Sequence, residues 1–212
     1  GLGDVYKRQD RKGESLQLIG AALRIWLNPS GASSGQPLRY GVMWDFMSLP
    51  QRGYTTKYDA DHEDRTDYQL KRFIKGLKQI NVWYGHASVT TLVCDWPMPD
   101  GAENAAPIDR RGWCIFERRL SSVRKFGGCC LTLSGLTKEP KKGQVHFWHE
   151  VITQCKGSRF ELLSPDAFEA LMLDGMKREE AEAGTGFRFT NGKDATSVCI
   201  PQYRAAFLRL LS

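Results

Sequence analysis

The chain has 212 residues, of which 41% are hydrophobic, enough for one domain with a buried core, so an intrinsically disordered chain is not expected. No apolar run approaches the roughly 20 residues that cross a bilayer, which predicts that no segment spans a membrane. The formal net charge is +6, but basic residues are interleaved with acidic ones, as in the stretch 59–65, so nucleic-acid binding is not favoured.

The first nine residues, GLGDVYKRQ, resemble an adaptor-derived leader that recurs in translated transcript assemblies, so we expect native sequence to begin near Asp10. The chain does not open with the basic stretch and apolar core of a signal peptide, so export is not expected. We expect a cytoplasmic location. The six cysteines form no CxxC pair and no regularly spaced framework, which predicts reduced thiols.

The first elements are a helix, a strand and a long polar segment. Apolar side chains at helical spacing predict a helix over 16–26. The compact apolar run 40–49 predicts a buried strand whose C-terminal end carries Asp45 and Ser48. The polar stretch 51–65 is too long for a tight turn, and we interpret it as a binding loop or as plain surface.

The middle of the chain continues this alternation. An amphipathic pattern over 66–84 predicts one helix of about five turns. A second strand is predicted over 89–96, followed by a surface loop over 97–110. In the helix that comes next, the apolar stripe leaves Glu117 one turn from Trp113.

The last third of the chain is predicted to hold a strand and three helices. The apolar run 129–134 is the third predicted strand, and 145–155 is an amphipathic helix. Ser164 followed by Pro is a good helix start, and Gly175 is the expected stop. The charged stretch after that glycine is expected to be mobile, and a terminal helix is expected to be kinked at Pro201.

Alternating strands and helices joined by connections of this length imply βαβ units, so we predict an α/β fold with a parallel sheet. Ligands of such sheets bind beyond the C-terminal ends of the strands, where Asp45, Ser48 and Asp95 are expected. Neither GxGxxG nor GxxxxGK[ST] follows a strand, so neither a Rossmann cofactor nor a P-loop nucleotide is predicted, and we expect no cofactor.

Two further groups of side chains are candidate sites. His146 and His149 lie one helical turn apart, but their order does not match HExxH and no further ligand pattern lies nearby, so no metal site is predicted. Cys114 near a helix N-terminus could be a nucleophile activated by Arg110 or Arg111, although a buried structural thiol is the favoured interpretation.

Three short motifs resemble a known family. The stretch RGWCIFER, 111–118, resembles the WCxxE element of TIR domains, in which the residue matching Glu117 is catalytic. Together with WDFMSLPQ and with FTNGKD, whose Asp194 is an expected helix cap, it resembles a group of mostly uncharacterised TIR-like proteins of protists and microbes. The TIR comparison proper covers about 15–155.

This resemblance implies a three-layer, flavodoxin-like fold, with a parallel sheet and helices on both of its faces. The family's first strand would precede Asp10, so we expect it to be missing here. The implied organisation is a TIR-like domain over 10–158 and a mostly helical C-terminal extension over 159–212 that packs on the same domain.

The resemblance also implies that Glu117 assists hydrolysis of the nicotinamide–ribose bond of NAD, which would be a substrate and not a cofactor. A carboxylate can stabilise the oxocarbenium-like state of such a reaction while water attacks. The residues expected to contact the substrate are Asp45, Ser48, Gln51, Arg52 and Trp113. The alternative is a non-catalytic signalling module of the same fold that forms a homo-oligomer, in which Glu117 needs no exposed cleft.

Overall fold

The computed structural model describes residues 14–27, 41–43, 49–50, 65–97, 106–125, 127–136, 148–155, 159–189 and 191–211. The helices are α1 Glu14–Leu27, α2 Asp67–Lys78, α3 Ile80–Gly85, α4 Gly112–Arg124, α5 Trp148–Cys155, α6 Pro165–Ala181 and α7 Ile200–Leu211. The strands are β1 Thr91–Val93 and β2 Cys130–Thr132. Helices combined with a parallel strand pair confirm the predicted α/β character at this coarse level.

The two strands form a parallel ladder in which Leu92 lies opposite Leu131. The connection between them carries α4, so β1, α4 and β2 form the βαβ unit that the alternating pattern predicts. Both strands are shorter than predicted. Because 3₁₀ turns over Gly127–Cys129 and Leu133–Gly135 flank β2, the extended backbone there lasts only three residues.

The chain divides into two compact units. The first contains α1, α2, α5 and the turn after β2. Its buried apolar side chains include Ala22 of α1 and Val151 of α5. A Cβ on Gly135 would meet the backbone of Gln154, so the missing side chain lets the turn lie directly against α5. Thr66 opens α2 with a reciprocal capping box: its backbone N–H donates to the Gln69 side chain at 2.9 Å.

The second unit contains α3, α4, both strands, α6 and α7 around one apolar core. Phe168 of α6 and Tyr203 of α7 stack with ring centres 4.0 Å apart, and the Tyr203 hydroxyl donates to the Leu163 carbonyl at 3.0 Å. Phe116 and Leu120 contribute the buried stripe of α4. As predicted, Ser164 caps α6, because its hydroxyl accepts from the Ala167 amide at 3.2 Å.

Two sequence predictions about helix limits were wrong. The single helix predicted over 66–84 is divided at Gln79, whose carbonyl accepts from the Val82 amide in a 3₁₀-type bond. Gly175 does not end its helix: it is buried within α6, which continues to Ala181. The stretch 177–186 is therefore partly helical.

The C-terminal helix is preceded by a π-helical segment, Ala195–Cys199, which runs directly into α7. Pro201, the second residue of α7, therefore lies inside a continuous helical stretch. Prolines and π turns are both common sites of helix kinks, so the kink expected at Pro201 stays a prediction.

Most of the strand predicted over 40–49 lies outside the described residues, and the described stretch 41–43 is not in a strand. In the region that the structure does describe, no helix combines the length and apolar character that crossing a bilayer requires.

Candidate active site around Glu117

The N-terminus of α4 is held by a segment from the C-terminal part of the chain. The Gly112 amide donates to the Arg188 carbonyl at 3.0 Å, and the Arg188 amide donates to the Arg110 carbonyl at 2.8 Å. A side chain on Gly112 would collide with the Phe189 ring, so glycine permits this close approach. The backbone of Arg188 therefore holds the start of the RGWCIFER motif through hydrogen bonds to the residues before and after Arg111.

Trp113 takes part in the packing of the second unit and in a polar contact. It is half-buried, and its ring meets Phe116 edge-on, with 5.9 Å between ring centres. Its indole N–H donates to the carboxylate of Asp194 at 3.1 Å. The second oxygen of that carboxylate accepts from the Asn191 side chain at 3.0 Å. Asp194 is thus oriented by two donors.

The prediction that Asp194 caps the terminal helix was wrong. Its backbone is already helical, with φ −62° and ψ −32°, and its side chain makes no capping hydrogen bond. The carboxylate points to Trp113 instead, because the turn that begins at Asn191 brings it beside the first turn of α4.

Glu117 lies one turn after Trp113 on α4 and is half-buried. One of its electrostatic neighbours is the buried thiol of Cys199. Burial raises the pKa of Cys199, and the charges of Asp194 and then of Glu117 raise it further, so the thiol stays protonated. The carboxylates of Glu117 and Asp194 therefore both act on one buried neutral group.

This arrangement has the elements that glycosidic chemistry uses. A carboxylate on a rigid helix can stabilise positive charge that develops on a sugar ring, and a second carboxylate nearby can orient water or the substrate. The hydrogen bonds from Trp113 and Asn191 give Asp194 the fixed orientation that such a role needs.

Other residues predicted from the sequence do not join this group. Four of the expected substrate contacts, namely Asp45, Ser48, Gln51 and Arg52, lie outside the described residues. Asp95 is half-buried just beyond the end of β1, and Cys114 is half-buried on α4. His149 is exposed on α5, whereas its neighbour His146 lies outside the described residues.

Sequence reasoning did not place Asp194 and Cys199 beside Glu117. The available signal was the Asn-Gly turn at 191–192 followed by an acidic residue, in the same FTNGKD stretch that carries the family resemblance. A rule for turns explains the bend, but it does not say which helix the turn approaches.

Comparisons with protein-family models, with curated proteins and with solved structures gave no match to this chain.

Proposed function

We propose that this protein is a TIR-like enzyme that hydrolyses the nicotinamide–ribose bond of NAD, with Glu117 as its catalytic carboxylate. The proposal includes the finer fold that the motif implies, a three-layer flavodoxin-like sheet of which β1 and β2 are neighbouring strands. The observation that carries it is the placement of Glu117 on the helix of the β1–α4–β2 unit, half-buried and one turn after a Trp that anchors a second carboxylate.

The proposed reaction needs little covalent chemistry from the protein. The bond between nicotinamide nitrogen and ribose carbon breaks with its electron pair going to nicotinamide, which leaves as a neutral molecule. Positive charge then develops on the ribose, and the Glu117 carboxylate stabilises it. Water adds to the ribose carbon and releases one proton, giving ADP-ribose.

Asp194 acts as a positioning residue in this proposal. Its carboxylate binds the Trp113 indole, and this bond fixes the ring that precedes Glu117 by one turn. The Trp113 ring is the expected stacking surface for the nicotinamide or the ribose. The Trp113 side chain is partly buried and packs against the apolar core, which limits its motion.

The experiment compares Glu117→Gln with the wild type over a range of NAD concentrations, with free nicotinamide measured by chromatography. Gln keeps the size and hydrogen-bonding capacity of Glu but removes its negative charge. We expect kcat to fall by about 10²–10³-fold, because the lost interaction is made mainly in the transition state, and KM to change little.

The matched control is Glu180→Gln, which makes the same chemical change at an exposed position on α6. It should retain wild-type kcat and KM. Equal rates in wild type and Glu117→Gln would contradict the role of Glu117, and absence of nicotinamide release from the wild type would contradict the activity itself.

A second candidate function, self-association without catalysis, is favoured by one observation. Val82 and Trp83 on α3 are 40% and 45% exposed, and Leu208 on the adjoining helix α7 is 56% exposed. Large apolar side chains that remain exposed on packed helices are typical of surfaces that bind another protein.

A further inference from the structure

A buried lysine lies next to the strand pair and takes no part in the proposed reaction. Lys125 follows α4, and only 1% of its surface is exposed. Its ammonium donates to the Thr91 hydroxyl at 2.7 Å, and this is its one hydrogen bond among the residues that the structure describes. An ammonium carries three N–H donors, so two of them have no acceptor within the part of the chain that the structure describes.

Among the described residues, no group supplies a charge that neutralises Lys125. Within the described ranges, no carboxylate pairs with Lys125 or with Arg118 on the preceding helix. Its titratable neighbours are the thiols Cys129 and Cys130. Burial raises the pKa of Cys130 more strongly than Lys125 lowers it, so this thiol does not supply a compensating negative charge.

Burial also lowers the pKa of Lys125 from its ordinary value of 10.5 to about 8, while the two thiols raise it slightly. The side chain is therefore still an ammonium at neutral pH. A buried charge without a counter-charge is costly, and proteins normally provide a partner for it.

A small cavity of about 20 Å³ opens beside this network. That space is large enough for one water-sized particle and too small for a phosphate or sulfate. Besides two apolar side chains, its described lining holds four hydroxyls, a thiol and an arginine, namely Thr91, Ser121, Ser122, Thr132, Cys130 and Arg118. The Ser122 hydroxyl already donates to the Arg118 carbonyl at 3.0 Å, so the other three hydroxyls are the candidate donors.

The hydrogen bonds around the cavity connect it to the lysine. The hydroxyls of Thr91 and Ser121 are 3.0 Å apart, and Thr91 already accepts from Lys125. The Thr91 proton is therefore free to point to Ser121 or into the cavity. Arg159 donates to the Ser122 carbonyl, which adds a third positive charge near the cavity.

We propose that this cavity binds a single monovalent anion of chloride size, which accepts hydrogen bonds from hydroxyls among Thr91, Ser121 and Thr132 and balances the charges of Lys125 and Arg118. Its class is set by two facts: among the described residues the lining offers hydroxyl donors and one cation, Arg118, but no carboxylate, and the volume admits one small ion. The site lies between β1, β2 and α4, where an ion would also strengthen the packing of helix on sheet.

The direct test is chloride-35 NMR of the full chain in gluconate buffers of constant ionic strength, which removes differences in general screening. Binding to a slowly tumbling protein broadens the chloride signal, and bromide should compete. We expect Lys125→Met, which keeps the size of the side chain but removes its charge, to abolish the excess broadening. The control Lys177→Met changes an exposed lysine of α6 and should leave it unchanged.

A second variant keeps the test valid if Lys125→Met fails to fold. Thr91→Val removes only the hydroxyl and should weaken chloride binding about tenfold, because a hydrogen bond involving an ion is lost. Chloride at ten times its Kd should raise the wild-type Tm by roughly 3–6 °C, whereas sulfate should not.

Two results would overturn the proposal. One is a wild-type protein that broadens the chloride signal no more than Lys125→Met does, as expected if the cavity holds only water. The other is broadening that survives in both Lys125→Met and Thr91→Val, which would place chloride elsewhere.

Discussion

The hydrogen bond from Trp113 to Asp194 joins residues that are 81 positions apart. Helical periodicity correctly places Trp113 and Glu117 on one face of α4, because that relation is local. Nothing local to Trp113 indicates which polar group would meet its indole, since the partner is brought by the return of the chain after α6. The site residues on α4 could therefore be predicted from the sequence. Asp194, which comes from the segment after α6, could not.

Lys125 gives a pH-dependent prediction at the same scale. The unfolded chain holds the lysine proton up to its ordinary pKa of 10.5, whereas the folded chain releases it above about 8. The unfolded state thus binds more protons between these values, and stability must rise with pH in that window. Relative to Lys125→Met, the wild type should gain about 2 kcal/mol between about pH 7 and about pH 10 in chloride-free buffer.

Urea unfolding of both proteins across this pH range provides the measurement, and the difference between them cancels the titration of other groups. Lys177→Met is the control, and its stability should run parallel to that of the wild type. If the stabilities of the wild type and the Lys125→Met protein stay parallel across this pH range, Lys125 keeps its ordinary pKa in the folded protein.

At the scale of elements, local sequence signals predicted the start of helix α6 correctly and its end incorrectly. Ser164 followed by Pro165 defines the first turn of α6 from nearby residues alone, and the structure has the helix begin there. The local sequence predicts a helix stop at Gly175, because glycine often follows helices. Its actual role depends on tertiary structure: its carbonyl accepts from the Phe187 amide at 2.8 Å, and a side chain there would meet the Phe187 ring.

This contact predicts an unusual sign for a substitution within a helix. Gly→Ala inside a helix normally stabilises a protein by about 0.5–1 kcal/mol. Gly175→Ala should instead destabilise the second unit by roughly 1–3 kcal/mol, because the added methyl group overlaps Phe187.

Urea unfolding would measure the change. Gly192→Ala is the control, because a Cβ there meets nothing within 4 Å, and its effect should stay within about 0.5 kcal/mol. A stabilised Gly175→Ala protein would show that residues 186–187 do not lie against α6 as described.

At the scale of the whole chain, the sequence predicted the class of fold better than the limits of the individual helices and strands. The alternation of apolar runs gave the parallel β1–α4–β2 unit, because each element is defined by its own periodicity. It did not predict that the helical pattern of 66–84 is shared between two compact units, with a division at Gln79. A continuous amphipathic pattern cannot show this, since both halves keep an apolar face.

The exposed apolar side chains of α3 predict behaviour of the whole molecule in solution. If they form a surface for a second copy, the wild type should show a sedimentation coefficient that rises with concentration. Trp83→Ser should reduce this self-association, because Trp83 is among the large apolar side chains that the fold leaves 45% exposed.

Leu162→Ser is the matched control, since Leu162 is 47% exposed but lies outside α3 and α7. Equal association in Trp83→Ser and in the wild type would exclude α3 as the interface. A wild-type protein that remains monomeric at all concentrations would contradict the proposal that this protein is a self-associating module.

The most direct test of the central claim is a single-turnover reaction in which wild-type protein is present in excess over NAD, with nicotinamide and ADP-ribose both followed by proton NMR. We predict equimolar release of the two products by the wild type and none on the same time scale by Glu117→Gln, provided that both proteins show the same circular dichroism and Tm. Complete cleavage by the Glu117→Gln protein, or intact NAD after prolonged incubation with the wild type, would contradict the account.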